Sequence, residues 1–117
     1  MKRKRLVLSC RPYPVDCLLV VGGTATQFTK DACQAFRVTP AQLGPVDPLA
    51  AGHTKYKKGK WAAVWLRKKH IGVLVHELLH VVTMIANEMG LSWESEEAQA
   101  YLLQSLVEQT LAGWTRK

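Results

Sequence analysis

The sequence predicts an α+β domain: a small twisted β-sheet, one N-terminal helix, and two packed C-terminal helices that form a minimal metal site. Three observations carry this. Short Val- and Leu-rich runs, broken by Pro and Gly, fill the first part of the chain. Residues 71–89 then change to helical period, with Leu74, Leu78, Val81, Ile85 and Met89 at steps of four, three, four and four. Within that run His76, Glu77 and His80 gather on the face away from the apolar stripe.

At 117 residues, 48% of them apolar, the chain has material for one core, so residues 1–117 are expected to form a single domain. Residues 1–60 supply sheet, helix and a long loop; residues 61–117 supply a strand, the histidine helix and a glutamate-bearing helix. Leu6–Cys10 and Val15–Val21 read as two strands parted by Arg11-Pro12-Tyr13-Pro14. Gly22-Gly23 ends the second, and Thr26 or Thr29 is placed to cap a helix over Phe28–Arg37 with Phe28, Ala32, Cys33 and Phe36 on one face. The order strand, Gly-Gly, Thr, helix lacks the G-x-x-x-x-G-K spacing of a phosphate loop.

Residues 39–60, with three prolines and three glycines, read as a long connection or as two short elements separated by turns, a segment able to lie over a cleft as a lid. Trp61–Arg67 reads as a strand covered on both faces, with Trp61, Ala63 and Trp65 on one side and Ala62, Val64 and Leu66 on the other. Its outer edge is expected to border the cleft. Gly90 stops the histidine helix. Ser92 is placed to cap a last helix reaching about Ala112, with Glu94 and Glu96 in its first turn and Leu102, Leu106 and Leu111 on its buried face.

Charge is divided along the chain. Residues 1–70 carry 14 Lys/Arg against Asp16, Asp31 and Asp47, or +11, whereas residues 71–117 carry Arg116 and Lys117 against six glutamates, or −4. The basic half suits an acidic partner or nucleic acid, and Lys55, Lys57, Lys58, Lys60, Arg67, Lys68 and Lys69 surround Tyr56, Trp61 and Trp65 in the manner of a stacking groove. The competing reading is a solvated edge whose lysines deter aggregation. Cys10, Cys17 and Cys33 are odd in number and show no C-x-x-C spacing, which points to buried free thiols in a reducing compartment. The basic start is followed by an apolar stretch that stops at Arg11-Pro12, too short for an export signal. No uninterrupted apolar run reaches the roughly 18 residues of a membrane span. A cytoplasmic protein with no membrane partner is therefore expected.

The chemistry lies in His76-Glu77-Leu78-Leu79-His80, the pattern H-E-x-x-H. Histidines four apart on a helix stand one turn apart on one face, so two imidazole nitrogens can meet one ion. Glu77, beside His76, is placed to act as general base toward a water at that ion. Three polar groups on one face make little sense in a core helix, because burying them unpaired costs several kcal/mol. The extended metzincin pattern needs Gly at position 83 and His at position 86; the chain has Thr83 and Ala86, which excludes that class. His53 and His70 are further candidate ligands.

With Glu97-Ala98-Gln99-Ala100 following the motif, the chain resembles the gluzincin class of zincin-like metallopeptidases. Its smallest members, the minimal gluzincins and the ImmA/IrrE-like proteins, are the most similar. Tyr101 stands where the ImmA/IrrE pattern usually has Asn. The run Glu97–Leu103 after Gly90 is also similar to small phage-encoded H-E-x-x-H proteins, and the resemblance covers about residues 70–108. It implies Zn2+ on His76, His80 and Glu97, with Glu77 as base, and a location in host cytoplasm for a phage protein. Glu94 and Glu96 compete for the third position. Tyr101, one turn after Glu97, is then placed to orient it or to polarise a substrate carbonyl.

The expected function is a zinc-dependent metallopeptidase acting on a peptide or protein. The alternatives are a non-proteolytic, zinc-stabilised phage morphogenesis or host-interaction protein and a basic nucleic-acid-binding module.

Overall fold

The computed structural model describes residues 3–90 and 96–115. It is α+β: β1 (Lys4–Ser9), β2 (Asp16–Val21), α1 (Ala25–Phe36), α2 (Pro40–Leu43), β3 (Gly52–Lys57), β4 (Trp61–Leu66), α3 (Ile71–Glu88) and α4 (Glu96–Thr115). The four strands form one sheet in the order β1-β2-β4-β3. β2 and β4 run parallel at its centre, and the outer strands pair antiparallel to them.

Burial follows from that order. All six β4 residues are buried, and so are five of the six in β2. A central strand covered on both faces needs such an unbroken apolar run. Trp61, Ala63 and Trp65 face α1, where Trp65 and Phe28 stack, while Ala62, Val64 and Leu66 face α3 and α4. This is the division read from alternation. The assignment of the edge is different. β4 lies inside the sheet, and β3 is the edge strand. Residues 39–60 hold two short elements, α2 and β3, the second of the two readings of that segment, and Lys57–Lys60, with Gly59 at φ 68°, turns β3 into β4.

Local signals explain the helix ends. α1 starts earlier than expected because Thr24 caps it, in a reciprocal capping box with Gln27. Thr26 and Thr29 fall inside the helix. α2 repeats the device with Thr39, Gln42 and Pro40 in its first turn. His70 caps α3, its Nδ1 accepting from Val73 N at 3.1 Å. Leu74, Leu78, Val81 and Ile85 are fully buried against the sheet.

α4 buries Leu102, Leu106, Thr110 and Gly113; Leu111, expected inside, is 39% exposed. Positions 102, 106, 110 and 113 share one face at 3.6 residues per turn, and 111 lies off it. Gly113 lets α4 approach β1, since a Cβ there would stand 2.7 Å from Leu6 Cδ1. Ser92 and Glu94 lie outside the described residues.

Cys10 and Cys17 are buried free thiols, diagonal neighbours on the α3 side of β1–β2, and Cys33 is a partly buried one. Burial pushes the Cys10 thiol up to about 12 and raises Cys17 as well. Among the described residues α3 alone is long and apolar enough by composition to cross a membrane, with mean hydropathy 1.3 over Ile71–Glu88. Its apolar stripe is packed in the core.

Candidate metal centre

α3 lies over the sheet with its stripe inward, which turns His76 and His80 outward on the side of β3. Both imidazoles are exposed, their ring centres 5.1 Å apart and their planes at 82°. Glu77, about 60° round the helix from His80 on the side away from His76, is buried at 7% exposure. One ligand atom from each of His76, Glu77 and His80 falls within 4.8 Å of the others. Neither imidazole makes a hydrogen bond among the described residues; His76 Nε2 stands 3.8 Å from Glu77 Oε2. Two such imidazoles, one turn apart, are nitrogen donors that fit zinc and related first-row ions, with the Glu77 carboxylate beside them.

β3 supplies what the sequence reading missed. Thr54 Oγ1 donates to Glu77 Oε1 at 2.7 Å and lies 3.3 Å from the Glu77 carbonyl oxygen. The buried carboxylate therefore keeps one oxygen held and the other turned toward His76. Gly52 makes this proximity possible, because a Cβ there would stand 2.8 Å from Val73 Cγ1 and 3.0 Å from Glu77 Cγ. An open cleft of about 390 Å³ runs between β3 and α3, lined by Thr54, Tyr56, Glu77, His80, Thr83 and Asn87 among others. A second hollow of about 380 Å³ lies on the His76 side, beside Gly52, His70 and Gly72. The signal for this wall was the alternation Gly52, Thr54, Tyr56 ahead of a Lys-Gly turn.

The structure brings His76, Glu77 and His80 together and does not bring Glu97 to them. Glu97 and Glu96 are exposed in the first turn of α4. At about 100° per residue, Glu97 points some 140° away from Leu102, on the outer side of α4. α4 also packs on the opposite flank of α3 from β3, against β1. Tyr101 is 64% exposed on the same helix, neither core aromatic nor part of the cleft wall.

His53 pairs with Trp65 in the β3–β4 register, so its side chain alternates with that of Thr54, while the residue also lines the cleft with Glu77 and His80. Burial and Lys55 lower its pKa, against the opposing pull of Glu77 and Asp47. His70 is committed to capping α3. Trp61 and Trp65 are inside the core, which leaves Tyr56 as the exposed aromatic of the basic cluster. No family model, no curated protein and no solved structure matches this chain.

Proposed function

We propose that the protein is a zinc-dependent metallopeptidase. The observation that carries this reading is the clustering of His76, Glu77 and His80 beside an open cleft that Glu77 and His80 line, with the Glu77 carboxylate held by Thr54. His76 and His80 would hold the ion; the resemblance to gluzincins implies Glu97 as third ligand, whereas Glu97 is exposed in the first turn of α4 and outside the cluster of His76, Glu77 and His80. A zinc ion there would supply Lewis acidity toward water and toward a peptide carbonyl.

Glu77 acts as general base. Thr54 fixes Oε1, so Oε2 is the oxygen free to accept a proton from water and later to return it to the departing amine. The cleft wall at Thr54 and Tyr56 guides an extended substrate past that oxygen, and the free edge of β3 offers main-chain groups for pairing.

A purely structural ion is the less favoured reading. Structural zinc closes four ligands, commonly from separate elements, whereas the convergent groups here all come from α3 and both histidines are exposed. The zinc reading does not extend to tying α3 to α4 unless Glu97 joins the site.

The test is metal content of protein purified without added metal, for wild type and Glu97→Ala, together with peptidase assays of wild type and Glu77→Gln. About one zinc per chain, and peptide cleavage lost in Glu77→Gln without loss of metal, is expected. Metal retained in Glu97→Ala would remove Glu97 from the ligand set. A metal-loaded wild type that cleaves no peptide or protein would sink the enzyme reading.

A further inference from the structure

We infer that the substrate is an extended acidic peptide, laid along the free edge of β3 with carboxylates at alternate positions against Lys55 and Lys57. The inference rests on the peptidase reading above and names its substrate class.

The two edges of the sheet differ. The β1 edge is closed by α4: the Gln109 side chain accepts from Ser9 N at 2.8 Å and donates to Ser9 O at 2.9 Å, and Lys4 Nζ donates to the Gly113 carbonyl. Beyond its ladder with β4, no strand and no side chain among the described residues hydrogen-bonds the backbone along β3. An edge left open beside a catalytic cleft is a template for one more strand.

Such a strand would present its side chains alternately to two environments. One set meets Thr54 and Tyr56 and the cleft holding Glu77 and His80. The other meets His53, Lys55 and Lys57 on the opposite face, with Lys58 and Lys60 at the adjoining turn. Directly opposed side chains on one face of an antiparallel pair stand about 5 Å apart, where opposite charges attract. None of these lysines has an ion pair among the described residues. The nearby acids are engaged elsewhere, Asp47 with Leu49 N and Glu88 with Gly59 N. Nucleic acid fits less well, because Trp61 and Trp65, the aromatics that would stack on bases, are buried.

Binding is tested with the full chain carrying Glu77→Gln, so that ligand is not consumed. The probes are a labelled eight-residue peptide with Glu at alternate positions, its isomer with the Glu residues contiguous, its Gln counterpart, a Lys counterpart and oligo-dT, followed by fluorescence anisotropy. The alternating Glu peptide should bind tightest. It should weaken roughly tenfold at low salt on Lys55→Glu with Lys57→Glu, and the effect should shrink at high salt. The doubly reversed variant should gain affinity for the Lys peptide, which a misfolded chain would not. Lys30→Glu on α1 should leave binding unchanged.

Equal binding of the Gln peptide, no effect of the reversal, or lysine-dependent binding of oligo-dT alone overturns the inference. Wild-type cleavage of neutral peptides with no preference for acidic ones also overturns it while the peptidase reading stands. Lysine-dependent peptide binding with no cleavage of any peptide leaves the acidic-strand site intact and removes the peptidase reading.

Discussion

Thr54 Oγ1 and Glu77 Oε1 are 2.7 Å apart, and this hydrogen bond joins the free-edge strand to the helix that carries both histidines. It satisfies a carboxylate that is otherwise buried. Thr54→Val should therefore cost about 1–3 kcal/mol in urea unfolding, the penalty of an unsatisfied buried acceptor, while Thr54→Ser stays near wild type. On the proposed peptidase reading, in which Glu77 is the base, activity should fall about tenfold or more in Thr54→Val and recover in Thr54→Ser, since Glu77 loses its orientation. Equal activity in the Val and Ser variants would remove Thr54 from a positioning role.

Gly52 sets the distance between β3 and α3. A Cβ at this position meets Val73 Cγ1 at 2.8 Å and the Trp65 carbonyl oxygen at 3.2 Å. Gly52→Ala should destabilise by about 1–3 kcal/mol, as overpacking does. Val73→Ala introduced beside it should recover part of that loss, a coupling that a double-mutant cycle reads directly. Strictly additive effects would mean that the two residues do not press on each other.

The rotation of α3 about its axis is tested by two adjacent leucines. Leu78 is fully buried and Leu79 is 51% exposed. Leu78→Ala should cost about 2–5 kcal/mol, and Leu79→Ala should stay within about 0.5 kcal/mol. The reverse order would turn His76 and His80 into the core and remove the site.

The thiols should separate by reactivity. Burial raises all three thiol pKa values, Cys10 to about 12, but Cys33 alone is partly accessible. At pH 8 a thiol reagent should modify Cys33 first, with Cys10 and Cys17 protected until the chain unfolds. Mass spectrometry of a labelling time course checks the order, and early modification of Cys17 would contradict the packing of β2.

His53 introduces a pH dependence of known sign. Its folded pKa lies below the ordinary 6.5, first through burial and then through Lys55. The unfolded chain therefore binds this proton more readily, and stability falls as pH drops below 6.5 toward the folded value. Above 6.5 the contribution is fully present. In His53→Asn the slope of unfolding free energy against pH should flatten in that window; an unchanged slope would assign it to other groups.

Much of this could be read from local sequence. The period of residues 71–89 placed Leu74, Leu78, Val81 and Ile85 inside and His76 and His80 outside, because a helix fixes the relative angles of residues within a few positions of one another. The same locality brings three ligand atoms of one helix turn within 4.8 Å. The alternation in Trp61–Leu66 likewise assigned its two faces.

What the sequence by itself determined is the content of α3 and the faces of the central strands. Which strand lies at the edge, that Thr54 meets Glu77, and that Glu97 is exposed and outside the cluster of His76, Glu77 and His80 were decided only by tertiary structure. Thr54 and Glu77 are 23 residues apart, and their meeting depends on the β3–β4 hairpin and on Gly52 allowing the strand close to the helix. The direction of Glu97 depends on which face of α4 is buried, and Leu102, Leu106, Thr110 and Gly113 settle that by packing against elements distant in the chain. Angles within one helix follow from backbone geometry; strand order and the packing rotation of a second helix follow from contacts whose partners no local pattern names.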